Sequence, residues 1–285
     1  MPMTFDATLK DLVRRHPEDF RAAFRLPKSE SITVLNVDLS HVTAATDVVL
    51  AHGHPGHGLT DVNFQSGHDG RLIDRVLMYN AILRHREGLP VHSIVVLLRP
   101  EADAPLLTGR FKCVAQPRRG WLDFRYEVIR LWKVPARRLL RGGMGALPLA
   151  LLGRFPANVS VFEGMTHVRQ RIEEKLSRAA DPPEVAQVLM SSFLVSGLRL
   201  PWDLAADLFQ GVPTVRESSV YQGLLLEGEL NHARRTLLRL GRERFGGPPE
   251  EAVACINGLS DLQRLDRMSV RLLHVENWED LLATQ

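Results

Sequence analysis

The feature that most constrains this chain is a change of periodicity at Pro135. Before it, short runs alternate between apolar and polar residues, as half-buried strands do, with helical stretches between them. After it, apolar residues recur every three or four positions almost to Gln285, and strand-like alternation disappears. Neither an all-β sandwich nor a helix bundle accommodates both patterns. The chain reads as α/β, a mixed sheet flanked by helices, followed by an α-helical C-terminal region.

The first half sets out its elements in order. A helix is predicted over 4–24, with Thr4 as N-cap and Phe5, Leu9, Leu12 and Val13 on one face, ended by Pro27. Strands are predicted over 32–37 and 46–50, rich in β-branched residues. His52-Gly53-His54-Pro55-Gly56-His57-Gly58 is a dense turn signal, and 59–65 alternates as a strand should. A helix over 69–86 stops at Gly88 and Pro90, and 91–98 is a nearly continuous apolar run, expected of a strand buried on both faces. Two further strands, over 109–115 and 122–131, flank a hairpin turn at Arg118-Arg119-Gly120. Helices follow over 135–140, 159–178, 183–196, 201–210, 217–245, 249–257 and 259–275. The last carries a capping-box spacing from Ser260 to Gln263 and a stripe of Leu262, Leu265, Met268 and Leu272.

Composition narrows the class. At 285 residues, 45% hydrophobic and 24% charged, the chain has ordinary globular proportions, which argues against disorder. Cys113 and Cys255 lie far apart with no framework spacing, as in a reduced compartment. The opening residues turn polar at once and lack the apolar core of a signal peptide. The most apolar stretch, Met144 to Leu152, is far shorter than a bilayer span and contains Pro148. A cytoplasmic protein without a membrane partner is expected. Of 36 basic residues only five are lysine, which leaves 31 arginines. Arginine suits phosphate contacts because its planar fork pairs bidentately, although GC-rich codon usage yields the same excess.

One constellation has the makings of chemistry. Side chains at i and i+2 of a strand share a face, so Asp61, Asn63 and Gln65 lie together while Val62 and Phe64 face the core. On the preceding strand Asp47 and Val49 share a face, and pairing with polar faces aligned sets Asp47 beside Asn63 and Gln65. Phosphodiester hydrolysis uses such a cluster: carboxylates hold a divalent metal, which supplies hydroxide and offsets developing charge.

An acid on one strand, a short loop, then acid-x-Lys/Gln on the next resembles the PD-(D/E)XK nuclease arrangement. The flanks resemble the recombination-promoting nuclease and transposase family within it. Phe5-Asp6-Ala7-Thr8-Leu9-Lys10 is similar to that family's opening motif, Ala45-Thr46-Asp47-Val48-Val49 to its first acidic strand, and Asp61-Val62-Asn63-Phe64-Gln65 to its acid-Phe-Gln strand. The helix bearing Arg71 and Tyr79, and then Pro90-Val91-His92-Ser93-Ile94-Val95, resemble the elements that follow. Leu237-Leu238-Arg239-Leu240-Gly241-Arg242-Glu243-Arg244-Phe245-Gly246 and Asn277-Trp278-Glu279-Asp280-Leu281-Leu282 are similar to a helical C-terminal domain that accompanies these nucleases. The resemblance implies a nuclease-like core over 1–134, a helical extension over 135–215 and a helical C-terminal domain over 216–285. It implies a DNA endonuclease with Asp47, Asn63, Gln65 and Asp61 as catalytic residues. Asp47, Asn63 and Asp6 are the implied ligands of Mg²⁺ or Mn²⁺, and DNA is the implied partner.

One position departs from the family. Asn63 stands where the pattern has Asp or Glu. An amide keeps one carbonyl oxygen but loses the charge, and a unit charge about 4 Å from a cation is worth about 4 kcal/mol at an effective dielectric near 20. The implied metal is therefore weakly bound and cleavage impaired; Asp61, displaced by about 6.6 Å along the strand, is the one substitute on that face. The alternative is a degenerate member that binds DNA or a protein partner without cutting. A third reading makes the helical half, with its leucine-rich stretch over 224–240, a homo-oligomerisation module. The series His52-x-His54-x-x-His57 suits zinc or nickel by ligand type, but its glycines and proline read as a turn. Gly142-Gly143-x-Gly145 lacks the Lys-Ser/Thr ending of a P-loop, and Ser93 lacks a nucleophile-elbow context.

Overall fold

A computed structural model describes residues 5–24, 26, 31–35, 48–53, 58–114, 121–178, 182–216 and 219–284. Two compact units divide the chain at residues 215 and 216. The first is mixed α/β, with a five-stranded sheet flanked by helices; the second is helical.

The first unit opens with helix α1 (Phe5–Arg15), a 3₁₀ turn (Pro17–Asp19) and helix α2 (Phe20–Phe24). The single helix expected over 4–24 is thus broken at His16, where Pro17 brings no N–H to continue the ladder and begins the 3₁₀ turn instead. Strands β1 (Ile32–Leu35), β2 (Val48–His52) and β3 (Leu59–Gln65) form an antiparallel meander. Helix α3 (Leu72–Glu87) then leads to β4 (Val91–Leu97), parallel to β3, and β7 (Glu127–Arg130) completes the sheet beside β4, in the order β1-β2-β3-β4-β7. Parallel neighbours need a crossover, which α3 supplies. Gly88 ends that helix with φ 68°, a left-handed conformation that suits glycine, and returns its N–H to the Arg84 carbonyl.

Strands β5 (Arg110–Val114) and β6 (Trp121–Arg125) pair with each other in a separate two-stranded sheet, closed by the fork of Arg110 on Asp123. The strand expected over 122–131 therefore serves two sheets. It breaks at Tyr126, whose N–H goes to the Gly109 carbonyl, so that β6 stays in the ribbon and β7 joins β4.

Both faces of the sheet are covered. Val62 and Phe64 share one face with Leu50, Ile94 and Val96, and Phe24 packs against Phe64 with ring centroids 6.0 Å apart. The opposite face carries Val49, Leu59, Val95 and Leu97 against Val76 and Leu83 of α3. β4 is buried from Ile94 to Leu97, the two-sided burial that its apolar run predicts.

Beyond β7 come α4 (Ala136–Leu139), α5 (Val161–Leu176), α6 (Pro182–Ser196), α7 (Trp202–Phe209) and α8 (Pro213–Arg216). Of these, α4, α5 and α6 pack around a 3₁₀ segment, Met144–Leu152, buried throughout from Gly145 to Leu152. Pro148 lies inside it, so the apolar stretch too short for a bilayer becomes a core element. No helix among the described residues is long and apolar enough to cross a membrane.

The second unit contains α9 (Ser219–Phe245), α10 (Glu250–Gly258), α11 (Leu262–Arg271) and α12 (Trp278–Leu282). Leu230, Leu237, Ala252, Ile256, Leu265, Met268, Leu272, Trp278 and Leu281 form its core. Of the predicted stripe, Leu265, Met268 and Leu272 are buried and Leu262 is half-buried against them, but the N-cap of α11 is Asp261, which accepts from the Arg264 N–H, not Ser260. A carboxylate at the cap satisfies an orphan donor and favours the positive helix end, so it displaces the serine one residue earlier.

Candidate functional site

The polar face of β3 is where sequence placed the chemistry. Asp61, Asn63 and Gln65 do share a face, together with Leu59 of the same strand, Val49 of β2 opposite Asp61 and Val95 of β4 opposite Asn63. The face is not open: Asp61 is 0% and Asn63 3% exposed. α3 lies over it.

A buried ionised carboxylate needs donors. Asn63 Nδ2 donates to Asp61 Oδ2 at 3.0 Å, and Ser93 Oγ donates to the same oxygen at 3.4 Å. Ser93 is there because β3 and β4 run parallel in the register Asp61↔Ser93. Asn80 of α3 closes the group, donating to Ser93 Oγ and to the Val91 carbonyl, each at 3.0 Å. While ionised, a carboxylate only accepts, and this sets the Asn63 amide with its nitrogen toward Asp61.

Gln65, at the half-buried end of β3, belongs to a neighbouring group. It donates to the Gly67 carbonyl at 2.6 Å and accepts from Arg75 Nη2 at 3.3 Å, while Arg75 Nη1 binds Asp69 at 2.6 Å. Asp47 lies outside the described residues, as does the side chain of Asp6, whose backbone belongs to α1. The structure therefore brings Asp61 and Asn63 into contact and gives Gln65 a cationic partner.

Mg²⁺ takes oxygen ligands in octahedral geometry and is held by carboxylates. Here the described residues offer one carboxylate, with two donors already on Oδ2, and two amide oxygens, one of them beside Arg75. That donor set by itself does not fit a divalent cation. Among the described residues no three His, Cys, Asp or Glu side chains converge on a point that could hold a metal. His54 and His57 lie outside the described residues.

His52 is on the other face, 5% exposed, with Nε2 2.6 Å from Thr60 Oγ1. Burial holds its pKa below the usual 6.5, aided by the positive charge of Arg21 and by His92, and opposed by Glu18. At the far edge, the Arg130 guanidinium hydrogen-bonds Asp103 at 2.8 Å through both Nε and Nη2 and lowers that carboxyl's pKa.

Sequence reasoning passed over Asn80 and weighed Ser93 only as a nucleophile. The available signal was an amide within the apolar stripe of α3, half-buried, and a buried hydroxyl within the apolar run of β4, polar groups that require partners. His52, Ser93 and the glycines of Gly142-Gly143-x-Gly145 are taken up in hydrogen bonding or close packing. The glycines allow close approach: a Cβ on Gly143 would lie 1.7 Å from Asp19 Oδ1, and one on Gly145 2.4 Å from His16 Cβ.

Fold and site together define a mixed α/β protein with a buried Asp-Asn-Ser group closed by a half-buried asparagine, and a helical second unit. No family model, curated protein or solved structure matches the chain.

Proposed function

We propose that this chain is a DNA-binding protein with a PD-(D/E)XK nuclease-like core of the recombination-promoting type, whose β3 centre is closed by hydrogen bonds in place of a metal. The observation that carries the reading is the Asn63 amide on the Asp61 carboxylate. Two acids at these positions repel and call for a cation between them. An acid and an amide satisfy each other with none. The sequence resemblance supplies the fold assignment, and the antiparallel pairing of β2 with β3 is what that arrangement requires. The preponderance of arginine among the basic residues suits DNA phosphates.

A second reading, slow Mg²⁺- or Mn²⁺-dependent cleavage, is favoured by one observation. Val49 pairs with Asp61 and so lies on the site face, which is the face the sequence reading gives to Asp47. In that reading Asp47, with Asp6, supplies the charge that Asn63 lacks.

The test is a labelled 30-base-pair duplex read by fluorescence anisotropy at two salt concentrations, together with plasmid nicking in Mg²⁺ or Mn²⁺. Salt-dependent binding without nicking by the wild type, and nicking gained by Asn63→Asp, is the expected result. Nicking by the wild type that Asp47→Ala abolishes selects the second reading. Absence of binding at low salt overturns both.

A further inference from the structure

Away from β3, α4, α5 and the loop between the 3₁₀ segment and α5 line a cleft, open to solvent, of about 500 Å³. None of its lining residues belongs to the proposed nuclease centre. Phe155, Val168 and Leu140 contribute apolar wall, and Arg137, Arg154 and His167 are polar groups around it. The volume lies in the range of small-molecule sites, and mostly apolar walls with a few convergent polar groups are their usual composition.

The aromatic wall is held in place from within the protein. Arg199 sits over the Phe155 ring, 4.4 Å from its centroid, and its Nη1 donates to the Gly153 carbonyl at 2.8 Å and the Leu151 carbonyl at 3.2 Å. These contacts hold the guanidinium between the two carbonyls and the ring, and burial lowers its pKa. Gly164 lets the ring lie against α5, since a Cβ there would come within 2.5 Å of Phe155 Cδ2.

Arg171 in the wall is already paired with Glu174 at 2.6 Å. Arg137 and Arg154 make no ion pair or side-chain hydrogen bond among the described residues, and both are exposed. Two uncommitted guanidinium groups beside an apolar cleft are complementary to an anionic head on an apolar body. We propose that this cleft binds a small amphiphilic organic acid, with its carboxylate on Arg137 and Arg154 and its hydrocarbon against Phe155 and Val168. The planar guanidinium fork matches a carboxylate bidentately, which favours this head group over a neutral one.

The test is isothermal titration calorimetry of the full chain with sodium decanoate, kept below its micellar concentration, and with decanol as the uncharged control. The expected result is saturable one-to-one binding of decanoate and at least about tenfold weaker binding of decanol. The Arg137→Ala/Arg154→Ala double variant, altered only at exposed side chains, should keep its melting temperature and bind decanoate about tenfold or more weakly. A chain that gives no saturable heat with decanoate overturns the proposal. So does equal affinity for decanol, or decanoate binding unchanged in the double variant.

Discussion

Asn63 and Asp61, two residues apart on β3, meet at 3.0 Å on a sheet face that α3 covers, so the amide serves as the buried acid's counter-group. Replacing Asn63 by Asp removes a donor and adds a second buried carboxylate to the same spot. Uncompensated buried charge of this kind costs about 3–5 kcal/mol. Urea denaturation of Asn63→Asp in EDTA should show a loss near that range, and millimolar Mg²⁺ should recover part of it. Asn63→Leu should lose stability without any response to Mg²⁺. An Asn63→Asp protein as stable as the wild type, and indifferent to Mg²⁺, would show that Asn63 does not stand in an acid's place.

How far the sequence disclosed this centre depends on the residue. The alternation over 59–65 located β3 and put Asp61, Asn63 and Gln65 on one face, because a period of two admits only that arrangement. Alternation does not say what covers the polar face. α3 has apolar residues on several sides, and the tertiary contacts of Asn80 with Ser93 and of Val76 and Leu83 with the sheet show which side closes on β3. The division of 122–131 between two sheets was equally hidden. Alternation passes through Tyr126 unbroken, and the switch is made by long-range pairing with β5 and β4. Met144–Leu152 was legible as too short for a membrane, but its place at the centre of the helices depends on packing alone.

His52 gives the first unit a pH dependence with a defined sign. Its folded pKa lies below 6.5, so the unfolded chain binds the proton more readily and acid favours unfolding. The stabilisation is complete above pH 6.5 and is lost as pH falls toward the folded value. Nδ1 is buried without a hydrogen-bond partner among the described residues, so protonation there adds an uncompensated charge. Denaturation midpoints should fall from pH 7 to pH 5, and His52→Gln, which keeps a partner for Thr60, should flatten that slope. The Asp103–Arg130 pair contributes in a separate, more acidic window, because a depressed carboxyl pKa matters only as pH approaches the ordinary 3.8 and below. An unchanged slope in His52→Gln would rule out His52 as its source.

Asp19 reaches across 126 positions of sequence to cap the central 3₁₀ segment, accepting the Gly145 N–H at 2.9 Å. Gly143 makes room for that carboxylate, since a Cβ would overlap it. Gly143→Ala should therefore cost about 2–3 kcal/mol by overpacking, and Asp19→Ala about 1 kcal/mol by loss of the cap. Because the two residues share one contact, Gly143→Ala should cost less than half as much in an Asp19→Ala background, a non-additivity readable in a double-mutant cycle. Additive effects would separate the glycine from the cap.

Two glycines of α9 should respond to alanine with opposite signs. Gly228 is exposed, with nothing within 4 Å of a built Cβ, and an alanine there stabilises the helix by about 0.5–1 kcal/mol through backbone entropy alone. Gly241 is buried under Trp278, whose Cη2 would lie 2.2 Å from the new methyl. The ring cannot swing aside freely. Its Nε1 donates to the Gly246 carbonyl at 3.3 Å, and Phe245 abuts it edge-on with centroids 5.5 Å apart. The same gain in helix propensity is therefore outweighed by overpacking of about 1–3 kcal/mol. Gly241→Ala should lower the thermal midpoint of the helical unit, and Trp278→Phe in the same chain should remove most of that penalty by withdrawing the far ring. A Gly241→Ala protein as stable as Gly228→Ala would mean that Trp278 does not pack on this helix as described.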